Sequence, residues 1–159
     1  MKLYRLGNYF FRKKIPLIPK LFELLIFLIF NSRIPSDVTI GKGSYFAYQG
    51  LSTLLIHNTI IGENCMIGMR VTTGRNFPYK KVPEIGNNVW IGTNSVIIGP
   101  VKIHANVIIT PNSLVNKSVP SGAIVGGCPA KIIGWVKNLE YNIFDNPKYN
   151  NGIAPTLKS

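Results

Sequence analysis

His57 and His104 are the only histidines among 159 residues, and imidazole is the side chain whose protonation changes near neutral pH. A base able to take a proton from a hydroxyl is therefore sought first at these two positions. His57 ends the stretch FAYQGLSTLLIH, which also carries Tyr48 and Gln49, two polar side chains suited to touching a substrate. Basic residues are the other chemical resource. Eighteen Lys and Arg against six Asp and Glu give a formal charge of +12, a balance that favours a phosphate-bearing ligand or an acidic surface. Apart from Arg12-Lys13-Lys14 these cations are scattered, without zinc-ligand spacing or an RNA-binding aromatic motif, so nucleic acid is not an expected partner. Cys65 and Cys128 lie far apart in sequence; they offer neither a metal pair nor a disulfide framework and suit a reducing compartment. Cys65 reads as core, and no metal is expected.

What would position these groups is visible in a repeat. From Ile85 onward the chain divides into sixes: IGNNVW, IGTNSV, IIGPVK, IHANVI, ITPNSL and VNKSVP. The first position holds Ile85, Ile91, Ile97, Ile103, Ile109 and Val115, and the fifth holds small or β-branched residues. The same register holds upstream at Leu55, Ile61 and Ile67, and earlier at Ile34, Ile40 and Phe46. A period of six fits neither an amphipathic helix nor an alternating strand. It fits short strands joined by bends, the pattern of a parallel β-helix. The fold class is therefore an all-β solenoid with three hexads per triangular coil. Residues 18 apart then stack about 4.8 Å apart along the axis, which puts Ile67, Ile85 and Ile103 in one internal ladder. Asn58, Asn64, Asn88, Asn94, Asn106 and Asn112 occupy the fourth position, where a tight corner favours a residue that tolerates left-handed angles.

Three segments follow from this pattern: an N-terminal helical segment (1–33), a solenoid (34–136) and an irregular C-terminal tail (137–159). Residues 2–31 read as one or two short helices broken near Pro16 and Pro19. The apolar run LFELLIFLIF is too short to span a bilayer, and Glu23 together with the lack of a small-residue cleavage site argues against a secretory leader. This helix is expected either to cap the core or to lie on a membrane surface, with residues 10–31 in contact. Location is expected to be cytoplasmic, with that peripheral contact on the inner face of the cell membrane. Two interruptions break the solenoid register. Between Phe46 and Leu55 it slips by three residues, and TGRNFPYKKVPE reads as an excursion loop (73–84) carrying Arg75, Lys80 and Lys81. Insertions into a solenoid tend to gather on its functional face.

With LYRLGNYFFRKKIPLIPKLF, IGNNVWIGTNSVIIGPVKI and VPSGAIVGGCPAKII in view, the chain resembles the left-handed β-helix acyltransferases of the hexapeptide-repeat superfamily. The likeness is to serine acetyltransferase-like members found with capsule and O-antigen sugar enzymes. It implies a left-handed coil, a homotrimer, and acetyl-CoA lying in the groove between neighbouring prisms. It also implies that the turn containing Gly127 and Lys131 helps hold CoA; Trp90 and Trp135 are then expected to line its pantetheine or adenine, Gly92 to belong to the same cofactor site, and Lys80 and Lys81 to meet its phosphates or an anionic sugar carrier. The chain departs from typical serine acetyltransferases at two places. Phe46-Ala47-Tyr48 stands where they carry Ile-Asp-His, and Val82 precedes Pro83 where they have a second histidine. A variant pattern in sugar-cluster relatives, Phe-Ala-Tyr followed by a closing Ile-His, is similar to this one, and His57 matches its histidine.

His57 is the third residue of its hexad and so belongs at a corner. Adding 18 gives Arg75, expected to stack above it and to keep the imidazole neutral. The expected role is general base toward an acceptor hydroxyl attacking the acetyl thioester, with Tyr48, Gln49 and Arg75 contacting the substrate. His104, where glycine is more usual in the repeat, is the weaker candidate. The leading expectation is acetyl transfer to a sugar hydroxyl, with a nucleotide- or lipid-linked saccharide as acceptor in surface polysaccharide assembly. Serine O-acetylation for cysteine synthesis and a non-catalytic binding solenoid are the alternatives.

Overall fold

The first residue of each hexad points inward, and in the computed structural model, which describes residues 2–139, this builds three flat flanks. One flank is a sheet of β1 (Thr39–Ile40), β3 (Ile60–Ile61), β6 (Glu84–Ile85) and β9 (Lys102–Ile103). The next contains β2 (Tyr45–Phe46), β4 (Met66–Ile67), β7 (Trp90–Ile91), β10 (Ile108–Ile109), β12 (Ala123–Gly127) and β13 (Ala130–Trp135). The last contains β5 (Thr72–Gly74), β8 (Val96–Ile98) and β11 (Leu114–Val115), continued by bridges from Thr72 to Leu54 and from Leu54 to Arg33. All pairings are parallel except β12 with β13, which folds back antiparallel. The result is a left-handed parallel β-helix of about four turns.

The internal ladders depart from the expected 18-residue spacing most at the excursion. Ile61 pairs with Ile85 and Ile85 with Ile103, whereas Ile67 pairs with Ile91 and Ile91 with Ile109. Ile67 and Ile85 therefore lie on different flanks. The cause is the excursion: Thr73 is fully buried and pairs with Ile97, so the chain leaves the coil only after β5 and returns at β6. The excursion in the structure is residues 75–83, and its extra hexad widens the spacing between the coils on either side of it, as from Ile61 to Ile85, after which Ile85 to Ile103 returns to the expected step.

Corner geometry follows the sequence closely. All six fourth-position asparagines have positive φ, between 54° and 64°, and Arg70 takes the same place with φ 58°. Two corners are stitched by amide pairs, Asn88 Nδ2 donating to Asn106 Oδ1 at 3.0 Å and Asn94 Nδ2 to Asn112 Oδ1 at 2.7 Å. The three-residue slip is the turn Ala47–Gly50, in which Tyr48 and Gln49 both adopt left-handed angles. Cys65 is buried as expected, and burial pushes its thiol pKa up.

Second-position glycines are required by space. A Cβ on Gly62 would sit 2.6 Å from the backbone carbonyl of Gly86 in the next coil. That coil is fixed by the bond from Gly62 N–H to Ile85 O at 2.8 Å. Gly62→Ala is therefore expected to destabilise by about 1–3 kcal/mol, read as a lower urea midpoint with unchanged slope.

Two helices close the first coil. α1 (Lys2–Arg12) and α2 (Ile18–Phe30) pack together, and the break between them spans 13–17. Pro19 does not break a helix: it stands in the first turn of α2, where a missing N–H costs nothing. α2 stops at Asn31, whose left-handed conformation returns its N–H to Phe27 O at 2.8 Å. Side chains from the helices satisfy the open edge of the coil. The Tyr4 hydroxyl donates to Val38 O, Arg5 donates to Ile40 O and Gly41 O at 2.6 and 2.7 Å, and Asn8 donates to Ser36 O at 2.7 Å. Glu23 accepts from Ser36 N–H at 2.7 Å. Burial raises the Tyr4 pKa to about 12, which keeps it a donor. At the far end β13 covers β12, then Val136–Asn138 form a short turn. Of the expected tail, 140–159 lie outside the described residues.

Candidate functional site

Each coil passes from the third flank to the first through one corner, and three successive coils place Asp37, His57 and the 75–83 excursion there. His57 Nδ1 lies 3.0 Å from Asp37 Oδ2. An ionised carboxylate can only accept, so Nδ1 carries the hydrogen and the neutral ring keeps its lone pair on Nε2. That is the tautomer a general base needs. The imidazole is half-exposed and Asp37 is four-fifths covered, so the pair has a solvent-facing base and a sheltered orienting acid.

The expected neighbour of His57 was a cation. Arg75 does follow His57 by one coil in the register set by Leu54 and Thr72, but it is exposed on the excursion. The partner at the ring nitrogen is an anion from the preceding coil. Sequence reasoning missed Asp37 because it extrapolated only forward, by 18. The signal was present: the three-residue slip makes the first offset 21, and subtracting 21 from His57 gives Ser36, next to Asp37.

His57 and Asp37 line one end of a groove of about 610 Å³ between the solenoid corner and the turn joining the helices. Its walls include Phe11, Ile15 and Leu17, and its charged rim is Arg12, Lys14, Lys20 and Glu23. This groove contains cations that the sequence had not tied to the site.

Other expected residues separate by corner. Tyr48 and Gln49 lie in the exposed turn between the second and third flanks, a different corner from His57 of the same protomer. Lys80 and Lys81 are exposed on the excursion, beside Arg75. Trp90 belongs to the second flank, with Gly92 just past its strand, and so do Gly127 and Lys131, which lie on β12 and β13 beside their connecting turn, Gly127 opposite Ala130 and Lys131 opposite Gly126. Trp90 is half-buried, and its indole Nε1 is enclosed without a hydrogen-bond partner. His104 is exposed and stands at a third corner, away from the Asp37–His57 pair. No cluster of three or more His, Cys, Asp and Glu able to hold a metal ion occurs among the described residues.

The repeat and its geometry agree with comparisons to known proteins. The family described as bacterial transferase hexapeptide (six repeats) matches residues 83–117, and the hexapeptide repeat of succinyl-transferase matches 58–74. The chain is a member of the hexapeptide-repeat acyltransferase superfamily. Within it, the chain is similar to serine acetyltransferases. It is 30% identical over 132 residues to that of Synechococcus elongatus, covering 82% of this chain and 54% of the relative. To that of Staphylococcus epidermidis it is 34% identical over 134 residues, covering 83% and 59%. The serine acetyltransferase of Brucella abortus solved with coenzyme A superposes with a TM-score of 0.79 at 24% identity, over 84% of this chain and 54% of that one. The chain thus spans about half the length of the relatives it matches.

These likenesses correct the leading expectation. The relatives and structural neighbours are named serine acetyltransferases, which points to serine acetylation and away from acetylation of a polysaccharide sugar. The departures at Phe46-Ala47-Tyr48 and Val82 carried the sugar reading. They mark how the site is built and do not by themselves identify an acceptor.

Proposed function

We propose that this chain is an acetyl-CoA-dependent O-acetyltransferase whose acceptor is serine, with His57 as general base and Asp37 as the residue that orients it. The observation that carries the reading is the 3.0 Å Asp37–His57 contact in the lining of a groove. His57 Nε2 takes the proton of the serine hydroxyl as its oxygen attacks the thioester carbonyl. The tetrahedral intermediate then collapses, the C–S bond breaks, and the imidazolium returns the proton to the departing sulfur. The products are O-acetylserine and free CoA, and no acyl-enzyme is formed. The half-exposed ring lets the hydroxyl approach, while the carboxylate behind it stabilises the imidazolium that forms.

A homotrimer is part of this reading. In one protomer Lys80 and Lys81 share a corner with His57, whereas Trp90, Gly92, Gly127 and Lys131 lie on another flank, and Tyr48 and Gln49 at another corner. A neighbouring prism, docked against the His57 corner, is what would bring the second set to the first. Acetyl-CoA then lies along the seam, its phosphates near the lysines and its arm near Trp90. A structural neighbour, the Neisseria gonorrhoeae serine acetyltransferase, was solved in complex with serine, which supports serine as the first acceptor to test.

The test is thiol release from acetyl-CoA with and without L-serine. Serine-dependent release, matched by an acetyl mass gain on serine, is the expected result. Binding of acetyl-CoA without serine-dependent turnover would remove serine, and failure to bind acetyl-CoA at millimolar concentration would remove the enzyme.

A further inference from the structure

α2 caps the core with only half its circumference. Ile26 and Pro19 are buried against the coil, while Leu17, just before the helix, and Leu21, Leu24 and Leu28 are between 52% and 76% exposed. The spacing of three and four puts Leu21, Leu24 and Leu28 in one row on the face opposite Ile26, and Leu17 is exposed just ahead of the helix. Phe27 flanks that row and is equally open. The sequence posed two alternatives for this helix, and the structure allows both at once, on opposite faces.

The charge beside the row selects the occupant. Arg12, Lys13 and Lys14 end α1 and begin the turn, all exposed, and Lys20 stands at the start of α2. The one acid in residues 2–31 is Glu23, and its carboxylate is engaged by Ser36 N–H. A second copy packed hairpin to hairpin would offer this cluster only further cations and the already engaged Glu23. An acidic lipid layer supplies what both features lack, hydrocarbon for the leucine row and phosphate or carboxylate for the cations. Among the described residues no helix is long and apolar enough to cross a membrane, so the geometry is that of an element lying in the interface. We infer that the α1–α2 hairpin docks on an anionic membrane surface through Leu17, Leu21, Leu24 and Leu28, with Arg12–Lys14 and Lys20 at the headgroups. This inference does not depend on the acceptor or on catalysis by His57, although Leu17, Arg12, Lys14 and Lys20 also line the groove that His57 enters.

Flotation of the full chain with vesicles tests it. Vesicles of phosphatidylcholine with about one-third phosphatidylserine should carry the chain at least tenfold better than phosphatidylcholine alone, and 0.5 M salt should weaken that binding severalfold. Leu24→Glu/Leu28→Glu and, separately, Lys13→Glu should each reduce partitioning, the first by tenfold or more, with circular dichroism unchanged. Absence of binding to acidic vesicles overturns the proposal, as does full binding by the leucine variant. So does a concentration-dependent assembly that the leucine variant dissolves while vesicles capture neither protein; that outcome assigns the row to a second copy.

Discussion

His57→Ala is expected to lower acceptor-dependent acetyl transfer by about 10²- to 10⁴-fold, with unchanged circular dichroism and an unchanged unfolding midpoint. The imidazole is half-exposed at a corner, so removing it opens no core cavity and the loss belongs to chemistry. The fall should appear in kcat, because the ring acts on a proton that moves only in the transition state. Asp37→Asn is the companion variant. An amide can present N–H to Nδ1, which moves the ring hydrogen to Nε2 and occupies the lone pair the reaction needs. A loss of about 10- to 100-fold in kcat with KM nearly constant is expected, since Asp37 acts through His57 and does not touch the acceptor. Turnover of His57→Ala within a few-fold of wild type, measured by thiol release, would falsify the assignment of the base.

The largest stability effect is expected at Ile91. It is fully buried at the centre of the ladder running Phe46, Ile67, Ile91, Ile109 and Val125. Neighbours above and below are held in place by strand pairing, so the space left by truncation collapses little. Ile91→Ala should cost about 2–5 kcal/mol. Ile60→Ala changes a residue 46% exposed on an outer face and should cost less than about 1 kcal/mol. Urea unfolding of both variants checks the contrast, and equal midpoints would contradict the placement of the core. Because each coil touches only its neighbours, Ile91→Ala also weakens the coupling between the two ends of the solenoid.

Much of this fold was readable because one physical requirement repeats every six residues. Ile91, Asn94 and Gly92 each meet a separate demand, burial, a left-handed corner and close backbone approach, and each demand restricts residue type. The register across the excursion was less readable. Nothing in TGRNFPYKKVPE reveals whether Thr73 points inward, and a threonine can be buried when a hydroxyl faces it, as Thr59 Oγ1 does here at 3.0 Å. The site was half legible. His57 stood out by type and corner position, but its partner lies twenty residues earlier on a coil whose offset the Ala47–Gly50 turn has altered. The rim of Arg12, Lys14 and Lys20 was invisible for a simpler reason: only the packing of α1 and α2 against the coil brings those residues to Asp37.

The closed ends of the coil bear on how the protein behaves at high concentration. A stack of parallel strands terminates in rows of unpaired N–H and C=O groups, and two such rows from different molecules could join to give an endless fibre. At the lower end Tyr4, Arg5 and Asn8 occupy those carbonyls; at the upper end a strand of reversed direction, β13, presents the wrong polarity for continuing the coil. Trimming the first helix would uncover a template for head-to-tail polymerisation, so the helical segment serves solubility even before it serves a surface.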